Sequence, residues 1–134
     1  MRTLMLDDIS EALRAGWGAD TCSPDDVARA PWTAGNPSWG HCDITSLVVN
    51  DFFGGRLVRG EVRTAEGESA GFHWWNLLDS GLELDLTRDQ FRDGQTVVGR
   101  ELVERPRPFP KYRKAEYLVL RGRVAERLGW YPEG

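Results

Sequence analysis

Thiol chemistry in this 134-residue sequence has few parts to draw on, because the chain contains two cysteines, Cys22 and Cys42, and two histidines, His41 and His73. Cys42 opens a run with apolar residues at Ile44, Leu47, Val48 and Phe52, a spacing that predicts a largely buried helix ending at Gly54-Gly55. A thiol in the first turn of a helix faces unpaired backbone N–H groups and the positive end of the dipole. Both favour thiolate and predict a pKa below the roughly 8.5 of a free thiol. Gly40, two residues earlier, permits close approach of a substrate, whereas Cys22 has no comparable setting and reads as a packing residue.

A nucleophilic thiol needs a base. His41 adjoins Cys42 and its ring points away from the thiol at a helix start, so His73 is the candidate. Its neighbours Phe72, Trp74 and Trp75 would dry the site and strengthen charge interactions. The third member follows from hairpin geometry. Asp79-Ser80-Gly81 suits a three-residue loop, a type I turn closed by a left-handed glycine. Pairing Leu78 with Leu82 then sets Trp75 opposite Asp85 and His73 opposite Thr87. His73 and Asp85 become diagonal neighbours on one face, roughly 7–8 Å apart at the backbone. A carboxylate spans that gap and fixes the imidazole tautomer. The candidate catalytic set is therefore Cys42, His73 and Asp85. A tetrahedral oxyanion would receive the Cys42 N–H and one donor from the preceding loop, where Asn36 and Trp39 both qualify chemically. Trp39, Trp74 and Trp75 are the candidate substrate cleft.

Each residue also has an ordinary reading. A cysteine at a helix start packs, a histidine among aromatics is a hydrogen-bonded core group, and Asp85 caps a turn beginning near Arg88. His41, Cys42, His73 and Asp85 are metal-compatible types. Their spacing matches no zinc motif, and no metal or cofactor is expected.

The elements that must position these residues read as follows. A first helix spans residues 7–15, capped by Asp7 or Asp8 and ended by Gly16; Ser23-Pro24 starts a second that stops at Pro31. An ordered loop precedes the Cys42–Phe53 helix. Strands follow at 56–63, 72–78, 82–87 and 96–103, with a flexible connection at 64–70 and one helical turn at 88–92. Arg-Pro-Arg-Pro-Phe-Pro at 105–110 is a rigid connector, and residues 111–128 form a closing helix, although Tyr117-Leu118-Val119-Leu120 also suits a strand. This order predicts one α+β domain over residues 1–134.

Composition narrows the function classes. A net charge of −4 argues against a general nucleic-acid binder, and the basic residues between Arg105 and Lys114 read as a solvated strip. No apolar stretch approaches the ~18 residues of a membrane span, and the acidic residues at 7 and 8 interrupt any signal-peptide core. With 40% hydrophobic residues a core forms without disulfides, and two cysteines are too few for a disulfide framework or an all-cysteine zinc site, which points to the reducing cytoplasm. The oligomeric state is open.

Asn36-Pro-Ser-Trp-Gly-His-Cys42, Leu47-Val-Val-Asn-Asp-Phe-Phe-Gly-Gly55, His73-Trp-Trp-Asn76 and Glu83-Leu-Asp-Leu-Thr87 resemble the YunG-like family of small bacterial proteins over most of residues 32–92. That resemblance implies no activity. More distantly, Cys42, His73-Trp-Trp-Asn76 and Gly81-Leu-Glu-Leu-Asp85-Leu-Thr87 are similar to the core of transglutaminase-like proteins, where a cysteine helix precedes a His strand and an Asp strand. This second resemblance implies a papain-like fold, its central helix packed on an antiparallel sheet. It also implies acyl transfer from an amide or thioester, on a peptide or small molecule, to water or an amine. Papain-like proteases place a glutamine amide six residues before the cysteine, the offset of Asn36; transglutaminases use a tryptophan indole from elsewhere in the chain. Two functions are therefore carried forward: a cysteine-dependent hydrolase or acyltransferase, and a catalytically silent module that holds a peptide or small ligand in its aromatic cleft.

Overall fold

The structure is a computed structural model that describes residues 5–91, 94–107 and 109–129. Its elements are α1 (Leu6–Gly16), α2 (Pro24–Arg29), α3 (Cys42–Phe53), β1 (Arg56–Arg63), β2 (Ser69–Leu77), β3 (Glu83–Leu84), a 3₁₀ turn (Arg88–Gln90), β4 (Thr96–Val103) and α4 (Lys114–Leu128). The strands form one antiparallel sheet in the order β3-β2-β1-β4. The chain is thus α+β, with α3 packed between the sheet and α4. Ile9 and Leu13 of α1, Ile44, Leu47 and Val48 of α3, and Leu120 and Val124 of α4 meet in the core. Tyr117 and Leu120 are buried while Leu118 and Val119 are exposed, the helical spacing that overrides the strand reading of this segment. Among the described residues no helix is long and apolar enough to cross a membrane.

Several boundaries differ from those expected. The cap of α1 is Met5, whose N–H donates to Asp8, so Asp8 caps from the third helical position and not from the first. Strand β2 begins at Ser69, because Glu68 and Thr64 close a tight turn and pairing starts at once. Strand β3 has two residues where six were expected, and the chain leaves the ladder after Leu84. Helix α4 begins at Lys114 because Arg113 adopts a left-handed conformation, φ 65°, which no helix tolerates in its interior. The expected turn at 88–92 is a 3₁₀ turn over Arg88–Gln90, and residue 92 lies outside the described residues.

The sheet carries two glycine bulges. The β1–β2 register slips between Glu61 and Arg63, where β2 holds an extra residue at Gly71, φ 97°. The β1–β4 register slips between Arg59 and Glu61, opposite Gly99, φ 76°. Such insertions increase local twist. Gly60 sits within the second slip and pairs with His73 of β2. A Cβ at Gly60 would overlap Val97 and come within 3.1 Å of the Trp75 ring. The bare backbone is what lets Trp75 fold across β1 and lie against His73.

Candidate active site

The β2–β3 hairpin has the loop its length implies. Leu78 N–H donates to the Leu82 carbonyl, Gly81 N–H donates back to Leu78, and Gly81 has φ 90°. Asn76 pairs with Leu84 and Leu77 with Glu83, the register that puts His73 and Asp85 on one face. His73 Nε2 lies 2.6 Å from Asp85 Oδ2. The other carboxylate oxygen accepts from the backbone N–H and hydroxyl of Thr87, at 3.3 and 3.4 Å. Asp85 is thereby held on both sides, and its Oδ2 is presented to the ring.

His73 is 1% exposed. Trp75 stacks against it at 5.7 Å and Phe91 meets it edge-on at 4.6 Å. Its Nδ1 lies 3.4 Å from Gln90 Nε2. The same Gln90 nitrogen is 3.0 Å from the Thr87 carbonyl, an obligate acceptor, so the Gln90 atom there is the amide NH₂. Its second N–H faces His73 Nδ1, which therefore accepts, and the proton of the neutral ring sits on Nε2 toward Asp85. This is the tautomer of a general base with its lone pair on Nδ1.

Cys42 stands first in α3 and half-buried, where its N–H has no intrahelical acceptor. It shares a cavity of about 390 Å³ with His73, Gln90, Phe91, Trp39 and the β2 backbone at Phe72. The thiol contacts the Phe72 carbonyl at 4.0 Å, and no hydrogen bond joins it to His73. Burial first, and then the Asp43 carboxylate beside it, push the Cys42 thiol up. The lowered pKa expected from the helix start is not met: the resting group is a thiol. Desolvation and a neighbouring anion outweigh the dipole.

The loop before Cys42 is tightly pinned. Gly40 has φ 74°, and a Cβ there would overlap the Cys22 sulfur. Cys22 donates to the Trp39 carbonyl, and burial pushes its thiol up to about 11. His41 is fully buried; Nδ1 lies 2.8 Å from the Trp39 carbonyl and Nε2 2.7 Å from Thr21 Oγ1, and burial lowers its pKa to about 4. His41 is therefore turned away from Cys42, and the four metal-compatible side chains are not gathered into one ligand set. Arg113, left-handed at the start of α4, donates to the carbonyls of Thr21 and Gly40 and to Asp43. Ser38 Oγ donates to Asp89 at 2.7 Å, which stitches the loop to the 3₁₀ turn.

Four residues nominated from sequence depart from the roles expected of them. Trp39 lines the Cys42 cavity, but its indole N–H donates to the Ala30 carbonyl at 3.0 Å. Asn36 donates to the Gln90 carbonyl at 3.4 Å, lines a neighbouring cavity, and leaves its Oδ1 buried without a partner among the described residues. The single Trp39 N–H is thus spent, and Asn36 does not line the Cys42 cavity. Trp74 points to the opposite sheet face and lines a separate cavity of about 250 Å³ with Pro110 and Tyr112, so it is no part of this cleft. Trp75 does not line the Cys42 cavity either: with His73, Asp85, Phe91 and Arg88 it lines a second cavity of about 620 Å³, which shares His73 and Phe91 with the first. Gln90 and Phe91 were missed, since a glutamine in a polar turn carries no local signal of its target.

A Bacillus subtilis (strain 168) relative, uncharacterized protein YunG, is 28% identical over 87 residues, 65% of this chain. The match spans 64% of that relative's length. No solved structure matches the chain significantly. The model of the YunG protein family matches residues 5–129, and the chain belongs to that family.

Proposed function

We propose that this protein is a cysteine-dependent acyl-transfer enzyme of papain-like architecture, acting on an amide or thioester of a peptide or small molecule. Cys42 is the nucleophile, His73 the base and Asp85 the residue that orients the base. The observation carrying this reading is the 2.6 Å bond from His73 to Asp85, which leaves Nδ1 as the basic nitrogen beside the cavity that Cys42 shares. The thiol is protonated at rest, so the chemistry is general-base catalysis rather than attack by a standing thiolate. His73 takes the thiol proton as sulfur bonds to the carbonyl carbon, then returns it to the leaving group. Burial between Trp75 and Phe91 keeps water from competing for the imidazole.

The raised thiol and the absence of a Cys42–His73 hydrogen bond favour a second reading, a silent module that binds ligand in the Trp39 and Trp75 cavities. A thiol-directed activity probe separates the two. The wild type, Cys42→Ala and His73→Ala are treated with an acylating or alkylating probe, and adducts are located by mass spectrometry. The enzyme predicts an adduct on Cys42, lost in Cys42→Ala and slowed at least tenfold in His73→Ala. Equal labelling of Cys42 with and without His73 establishes the silent module.

A further inference from the structure

Resting on that reading, we infer that Gln90 is a catalytic residue: its side-chain amide caps His73 Nδ1 at rest and moves to the substrate oxyanion when His73 takes the thiol proton. The amide is buried, donates to the Thr87 carbonyl at 3.0 Å, and faces Nδ1 at 3.4 Å. It lines the Cys42 cavity. The bond to Nδ1 exists only while Nδ1 has a free lone pair. Once the ring is imidazolium, Nδ1–H and the Gln90 N–H are two donors facing each other, and the contact turns repulsive. Proton transfer from Cys42 therefore ejects the amide from His73 at the moment a carbonyl oxygen gains negative charge and needs a donor.

Neither side chain nominated for that role brings a free N–H into the Cys42 cavity, which Asn36 does not line. The Trp39 indole is bound to Ala30, and the Asn36 amide to the carbonyl of Gln90 itself. The Asn36 contact holds the Gln90 backbone, and Ser38–Asp89 holds the same turn to the nucleophile loop. The turn's backbone is thus anchored, and the Gln90 amide can keep its Thr87 bond while the N–H that faced Nδ1 turns to the cavity. The Cys42 N–H supplies the first donor and Gln90 the second.

The two roles of Gln90 have opposite kinetic signs, which makes them separable. Alkylation by iodoacetamide forms an S–C bond, expels iodide and passes through no oxyanion. Acylation by 4-nitrophenyl acetate forms the S–C bond while the carbonyl electron pair moves to oxygen. Collapse restores the C=O, expels 4-nitrophenolate and leaves a Cys42 thioester, with the thiol proton returned to the leaving group. In Gln90→Leu, Nδ1 is uncapped and accepts the thiol proton more readily, so alkylation of Cys42 rises roughly threefold or more. Acylation loses a donor and falls by about 10²-fold. Gln90→Met, unbranched, of similar length and without an N–H, shows the same divergence, so a folding defect in the leucine variant does not hide the result. Unchanged acylation in both variants, or both rates moving together, overturns the role of Gln90 while Cys42 chemistry stands. A wild type that forms no Cys42 acyl adduct overturns the site reading and this inference with it.

Discussion

Asp85→Asn changes no volume and removes one charge, yet the structure allows the amide no satisfactory orientation. Asp85 accepts on both sides, from His73 Nε2 at 2.6 Å and from Thr87 at 3.3 and 3.4 Å. An amide has a single oxygen. With that oxygen toward His73, its NH₂ meets the Thr87 N–H donor to donor. With the oxygen toward Thr87, its NH₂ meets Nε2 and drives the ring proton to Nδ1, where the Gln90 amide also donates. His73 and Thr87 are both 1% exposed, so water rescues neither arrangement. One unsatisfied buried donor costs ~1–3 kcal/mol. For a chain of this size that is roughly 3–5 °C of Tm per kcal/mol, read by urea and thermal unfolding. The second orientation is the wrong tautomer for a base, a fault that costs about 10⁴-fold in a serine triad. The expected loss of Cys42 acylation by 4-nitrophenyl acetate is therefore on the order of 10²- to 10⁴-fold, with Cys42 itself untouched. A variant that is destabilised but acylates at the wild-type rate refutes the reasoning, because it would leave Asp85 a structural cap only.

Acid should destabilise the fold through His41. Its folded pKa of about 4 lies below the unfolded value, so its contribution is complete above ~6.5, is lost as pH falls toward about 4, and amounts to roughly 3 kcal/mol at most. Urea midpoints at pH 7 and pH 4.5 should converge more closely in His41→Asn than in wild type, and parallel losses in both would place the acid sensitivity elsewhere. Gly40→Ala should cost over ~1 kcal/mol, because φ 74° disfavours a Cβ and that Cβ would overlap Cys22; a neutral melt would disprove the tight loop. Arg113→Met should slow Cys42 acylation more than it lowers Tm, since the guanidinium holds the Gly40 carbonyl and Asp43 on either side of Cys42. A pure stability loss, with acylation unchanged at a temperature where the variant is folded, would make Arg113 a strut alone.

The hairpin was legible because loop length and side-chain parity are local properties. Asp79-Ser80-Gly81 specifies the turn, and the turn specifies that His73 and Asp85 share a face. The same parity places Trp74 opposite His73, so its exclusion from the cleft was already present in the sequence. The short β3 was not legible. Alternation in residues 82–87 describes an extended segment equally well with or without a partner strand, and only tertiary packing ends the ladder at Leu84. Gln90 was hidden for a related reason: a glutamine in a turn acquires its function from the strand that packs over it.

The state of Cys42 shows how far a local argument reaches. A helix start favours thiolate by an amount set within one turn of the chain. Burial, which depends on what the fold brings near, and the sequence neighbour Asp43 oppose it. Asp43 is in turn held by Arg113 from the far end of the sequence. The carboxylate that discourages the thiolate is therefore part of the clamp that positions it. In the site proposed, low resting reactivity follows from the packing that holds Cys42. In the proposed mechanism, activation falls to the event that brings a carbonyl to the sulfur and a proton to His73. Iodoacetamide at neutral pH should accordingly show only a modest preference for Cys42 over the buried Cys22, and an acylating reagent a large one. A thiol already ionised at rest would make both preferences large, and that result would remove the general-base mechanism in favour of a standing ion pair.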